Sequence, residues 1–70
     1  MAALKWTDAD EIGYQLSEAH GDLDPMSVQF TELHGMVLAL EEFDDDPAGS
    51  SEGILEAIQM AWVEYRGERE

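Results

Sequence analysis

The chemistry-bearing side chains of this sequence are nearly all carboxylates, and the densest set is Glu41, Glu42, Asp44, Asp45 and Asp46, five acids within six positions. Oxygen-only ligands of this kind suit hard or borderline divalent cations, and with no His or Cys in the run the binding is expected to be weak and exchangeable. The same groups also offer an anionic surface to the Lys and Arg residues of a partner. The bland reading is a solvated connecting loop in which Asp46, just before Pro47, sets a turn. An EF-hand is excluded. With Asp44 at position 1, Asp46 and Gly49 fall correctly at 3 and 6, but position 5 is Ala48 and position 12 is Leu55, so the bidentate Glu is missing. A second acidic group, Asp8, Asp10 and Glu11, opens the first expected helix.

Other constellations are weaker. His20 and His34 lie fourteen residues apart, a spacing that marks no ligand pair, and His34 beside Leu33 reads as a partly buried structural histidine. Ser17, Ser27, Ser50 and Ser51 sit in no nucleophile-elbow pattern, and no third group completes a triad. Paired carboxylates do acid–base work only in a cleft that separates their pKa values. A chain of 70 residues is expected to bury only about 60% of its unfolded surface, which leaves little room for such a cleft. The absence of cysteine excludes disulfides, thiolate catalysis and a zinc or iron–sulphur centre held by protein sulphur. The expectation is a binding module with no catalytic residues and no tightly bound cofactor.

The charge balance points the same way. Seventeen acids face three strong bases, a net charge of −14. Lys5 lies at one end, Arg66 and Arg69 at the other, and the sixty residues from Trp6 to Tyr65 carry fifteen acids and no Lys or Arg. Most carboxylates must therefore turn to water, backbone donors, metal ions or a basic partner. Spread evenly over the roughly 4,400 Å² expected for this mass, the net charges would stand about 18 Å apart, beyond the Debye length of about 8 Å. The clusters, rather than the total, are the candidate sites. If their carboxylates repel one another in the folded state, their pKa values are raised and stability should increase as pH falls.

Nucleic acid and acidic membranes are disfavoured as partners, because both require basic contacts. No apolar run approaches the roughly 18 residues of a membrane span. Met1 to Lys5 is too short for a secretory leader, so the expected compartment is the cytoplasm.

The elements that must carry these groups read as helices. Thr7 is a candidate N-cap, with Asp8 and Asp10 in the first turn and Ile12, Leu16 and Ala19 on the apolar stripe, ending near His20 and Gly21. Asp24 and Pro25 start one short helical turn before the β-leaning Gln29, Phe30 and Thr31. Thr31 can cap a further helix carrying Leu33, Met36, Val37 and Leu40, with Phe43 closing the core behind it. Residues 47–51 form a loop, and Ser50 or Ser51 caps a last helix whose broad face holds Ile54, Leu55, Ile58, Ala61, Trp62 and Tyr65. Trp62 reads as core; Trp6 reads either as a lid over the core or as a partner contact. The chain 1–70 is thus one acidic, mainly α domain, with 67–70 as a frayed charged tail. Helix, short helix, turn, helix is the spacing of a helix-turn-helix core, so a winged-helix-like domain and an orthogonal helix bundle both stand.

In order along the chain, Leu4-Lys5-Trp6-Thr7-Asp8, Glu11-Ile12-Gly13, Asp22-Leu23-Asp24-Pro25, Phe30-Thr31, Leu33-His34, Phe43-Asp44-Asp45-Asp46-Pro47 and Ile54-Leu55-Glu56-Ala57-Ile58 with Trp62 strongly resemble the IscX family, small acidic proteins of bacterial iron–sulphur cluster assembly. The resemblance implies a modified winged-helix fold and a monomer that docks on the basic surface of cysteine desulfurase, in competition with a frataxin-like protein. It also implies weak binding of ferrous iron by surface carboxylates, here Glu42, Asp44, Asp45 and Asp46. By position Trp6, Asp8, Glu11, Asp44, Asp45 and Asp46 match residues of the family, and together with the clustered acids Asp10, Glu41 and Glu42 they are the expected partner-binding residues. An iron carrier, and an acidic interaction module unrelated to metal, are the alternatives. Two departures stand out: Met36 replaces an expected aromatic residue, and Arg66 and Arg69 make the C-terminus less uniformly acidic.

Overall fold

Apolar residues that recur every three to four positions share one face of a helix and must bury it against another element. In the computed structural model, which describes residues 3–69, three such faces close on one another. Helix α1 spans Ala9–Ala19, α2 Phe30–Leu38 and α3 Glu52–Arg69, with single 3-10 turns at Pro25–Ser27 and Pro47–Gly49. Among the described residues there is no strand, only an isolated parallel bridge between Leu4 and Phe43. The mainly α expectation holds, and among the described residues no hairpin wing accompanies the helices.

The core is built from Ile12 and Leu16 of α1, Leu33 and Val37 of α2, and Leu55, Ile58 and Trp62 of α3, closed by Leu4 and Trp6 from the N-terminal segment. Trp62 is fully buried, as its place on the stripe predicts. Helix α1 runs close along α3 because Gly13 carries no side chain. A Cβ there would lie 2.5 Å from the Ala61 Cβ and 2.7 Å from the Trp62 backbone nitrogen, which no real contact allows.

Local chemistry explains the boundaries. The cap of α1 is Asp8 rather than Thr7, and its carboxylate turns back to accept the Lys5 N–H at 3.0 Å. Asp24 accepts the Met26 N–H at 3.0 Å, opening the first 3-10 turn ahead of Pro25 as expected. Helix α2 begins earlier than a Thr31 cap would place it. Gln29 is the cap, and Glu32, three residues on, accepts the Gln29 N–H at 3.1 Å. Burial of Leu33 and Val37 outweighs the β preference of Phe30 and Thr31. Ser51 caps α3 through its hydroxyl, which accepts the Ile54 N–H at 3.3 Å. Helix α3 continues through Gly67 to Arg69, where fraying was expected. Glu70 and the side chains of residues 68 and 69 lie outside the described residues.

Candidate functional site

The acidic run leaves the end of α2 and is gripped by the N-terminal segment. Leu4 donates its N–H to the Glu42 carbonyl at 2.8 Å, and Asp44 donates its N–H to the Leu4 carbonyl at 2.9 Å. The Lys5 ammonium donates to the Asp44 carbonyl. Trp6 donates its backbone N–H to the Asp45 carboxylate at 3.0 Å and its indole N–H to the Asp46 carbonyl at 2.6 Å. The indole is only 2% exposed, stacked on His34 at 5.4 Å and edge-on to Phe43 at 4.7 Å. His34 Nε2 lies 2.6 Å from the Pro47 carbonyl, a bond in which the ring nitrogen is the donor. A Cβ at Gly49 would stand 3.0 Å from Trp6 Cδ1, so a larger residue there would press on the ring. The partly buried, structural reading of His34 is correct, and Trp6 is the lid of the two readings open to it.

This grip divides the carboxylates by role. Asp45 accepts the Trp6 N–H and, at 2.7 Å, its neighbour Asp46 N–H. These two backbone donors, the Trp6 N–H first, hold its pKa below the ordinary carboxylate value; desolvation opposes them, and the nearby Lys5 charge adds the weakest assistance. For Asp45, the repulsion expected to raise its pKa is therefore overruled by donors that the fold supplies. Asp46 accepts the Ala48 N–H at 2.9 Å and sets the second 3-10 turn, so the turn-forming reading of Asp46 before Pro47 is correct for that residue. The carboxylates of Glu41, Glu42 and Asp44 are exposed and make no hydrogen bond or ion pair among the described residues.

The N-terminal acidic group is split. Asp8 bonds the Lys5 N–H while the next residue, Trp6, bonds Asp45, so Asp8 sits beside the loop. Asp10 is drawn to the other side, where its carboxylate accepts the Tyr65 hydroxyl of α3 at 2.9 Å. Glu11 accepts from the Gln15 amide one turn along α1 at 3.3 Å. Buried as it is, Trp6 positions the acidic face and is not displayed on it. Glu42, Asp44, Asp45 and Asp46, the candidate metal ligands, are strung along the loop. Among the described residues no three His, Asp or Glu side chains converge as a ligand group. Lys5, His34 and Gly49 also shape the site. Their role was not legible locally, since their partners lie thirty-nine residues away for Lys5 and thirteen for His34.

The chain is similar to known proteins over nearly its whole length. A family model described as iron–sulphur cluster assembly matches residues 4–67, which include Trp6, the whole acidic loop and the core of all three helices. An uncharacterized protein of Pseudomonas aeruginosa, PA3808, is 52% identical over 64 residues, covering 91% of this chain and 97% of its own length. No helix among the described residues is long and apolar enough to cross a membrane.

Proposed function

We propose, on the premise that this chain belongs to the iron–sulphur cluster assembly family, the IscX family of the sequence resemblance, that it serves the pathway as a non-catalytic regulator docking its acidic face on cysteine desulfurase. The observation that carries this reading is the set of exposed, unpaired carboxylates of Glu41, Glu42 and Asp44 on a loop whose backbone is held by Trp6. A loop ordered before binding loses little further conformational entropy on docking. A net charge of −14 draws a Lys- and Arg-rich surface from a distance, which speeds encounter and makes affinity fall with salt. In this reading a frataxin-like protein that uses the same basic surface is a competitor, and the chain acts in the cytoplasm as a monomer.

Ferrous iron enters as a weakly held cargo. Asp45 and Asp46 already accept backbone N–H groups, so Glu42 and Asp44 are the carboxylates most available to a hydrated cation.

Calorimetry against the desulfurase at low and at high salt is the test. Binding should be clear at low salt and weaken at high salt. The triple variant Glu41→Gln, Glu42→Gln, Asp44→Asn should lose about tenfold in affinity, which is ~1.4 kcal/mol. No complex at low salt would overturn the desulfurase reading. Ferrous titration of the Glu42→Gln, Asp44→Asn variant tests the cargo; a titration unchanged from the parent chain rules those ligands out.

A further inference from the structure

Lys5 is the only lysine of the chain, and the next strong base along the sequence is Arg66. Its ammonium reaches across thirty-nine residues to the Asp44 carbonyl, in the middle of the acidic run. Carboxylates flank that spot. Asp8 accepts the Lys5 backbone N–H at 3.0 Å, and Asp45 accepts the N–H of the next residue, Trp6, at 3.0 Å. Among the described residues Lys5 forms no ion pair, so the ammonium is seated on the loop while the carboxylates of Glu42 and Asp44 stay uncovered. A cation thus already sits where the loop offers its oxygens.

Lys5 has two opposite effects on a second cation: it helps to fix the loop backbone, and it repels the newcomer. The first effect is small, because four other hydrogen bonds hold the same stretch, two made by Leu4 with residues 42 and 44 and two by Trp6 with residues 45 and 46. The second is larger. A unit charge about 7 Å away, at the dielectric of a protein surface and physiological salt, weakens the binding of a multiply charged cation roughly threefold. Resting on the docking function proposed above, we infer that Lys5 sets the affinity of the acidic face: its ammonium holds the Asp44 carbonyl until a Lys or Arg of the partner displaces it, and its charge limits how tightly that partner binds. The oxygens freed by the exchange accept hydrogen bonds and donate none, which suits an ammonium or a guanidinium. Lysine is built for such an exchange, since its flexible four-carbon stem swings the head into water with the backbone unmoved.

The probe is hexaamminecobalt(III), an inert trication whose N–H groups donate as an ammonium does, titrated into the full chain labelled at the lysine side chain and the backbone amides. A single lysine gives a single side-chain signal, which should shift as the probe saturates, together with the amides of residues 42–46. Lys5→Gln should bind the probe about threefold more tightly, and Lys5→Arg, which keeps the charge, should stay within about 1.5-fold of the parent chain. The gain in Lys5→Gln should fade at about 0.5 M salt, which a purely structural role would not produce. Arg66→Gln has the same net charge as Lys5→Gln but changes the far end of α3 from the one the loop leads into. Across most of an 18-residue helix, about 27 Å long, its effect should stay within about 1.5-fold. Equal or weaker binding by Lys5→Gln, an equal gain in Arg66→Gln, a lysine signal unmoved at saturation, or shifts that avoid residues 42–46 would each overturn the inference. Calorimetry of the same variants against the desulfurase separates it from the docking proposal. A complex equally tight with the parent and Lys5→Gln sinks the inference alone, and no complex beside an intact Lys5 effect on the probe sinks the desulfurase reading alone.

Discussion

The seam between α1 and α3 and the loop beneath Trp6 border the same core but are held by different forces. Along the seam Ile12, Leu16, Ile58 and Trp62 are wholly removed from water, and Gly13 brings the two backbones into contact. Burial of that kind contributes roughly 25 cal/mol per Å² and has little dependence on pH. The loop is held by a handful of directional hydrogen bonds that join residues 4–6 to residues 42–46, and by one aromatic ring. Such bonds contribute about 1 kcal/mol each and are sensitive to the charge state of the acceptor. The contrast shows how a chain with so few cations can present carboxylates at a fixed place. The seam supplies the stability, and backbone donors engage the charged carboxylates of Asp45 and Asp46 while Glu41, Glu42 and Asp44 stay open.

Removing volume from the seam should have the largest effect. Leu16→Ala is expected to cost about 3 kcal/mol in urea unfolding, as transfer and cavity losses add; a cost below about 1 kcal/mol would place the stability elsewhere. Gly13→Ala comes next, at about 2 kcal/mol, because steric conflict with Ala61 and the Trp62 backbone exceeds the roughly 1 kcal/mol gained in helix propensity. A more stable Ala variant would show that the two backbones can move apart at no loss.

Trp6→Phe removes the donor to the Asp46 carbonyl and should cost about 1 kcal/mol beyond the lost ring volume. Its signature is regional: hydrogen exchange should rise at residues 44–49 while the amides of Ile12 and Ile58 keep their protection. Exchange that rises equally in both regions would break the distinction between them.

The smallest effect is expected at Asp45. Its folded pKa is lowered by the backbone N–H groups of Trp6 and Asp46. The stability it contributes is therefore present above the ordinary carboxylate value of about 3.9 and is lost as pH falls through that value toward the folded one. Asp45→Asn should be slightly less stable at neutral pH and should lose less on acidification below about pH 4. An acid profile superimposable on that of the parent chain would remove Asp45 from the loop's anchoring.

Helix faces were legible because they depend on spacing alone: Leu33 with Val37, and Leu55, Ile58 and Trp62, face the core where periodicity puts them. The Asp24–Pro25 turn and the Ser51 cap were legible because both are made by residues within three positions of each other. The α1 cap was harder, since Thr7 and Asp8 both have suitable side chains. The Glu32 bond to Gln29 was equally local, but it was obscured by the β-leaning residues beside it.

By itself the sequence determined that anionic groups would exceed internal cations, because no Lys or Arg occurs between Trp6 and Tyr65 and charge can be counted without a fold. It did not determine which acids would face a partner. Tertiary structure decided that, by bringing the Trp6 N–H to Asp45 across thirty-nine residues and the Tyr65 hydroxyl to Asp10 across fifty-five. A carboxylate's availability depends on the donors around it, and those donors come together only when the chain closes on its core.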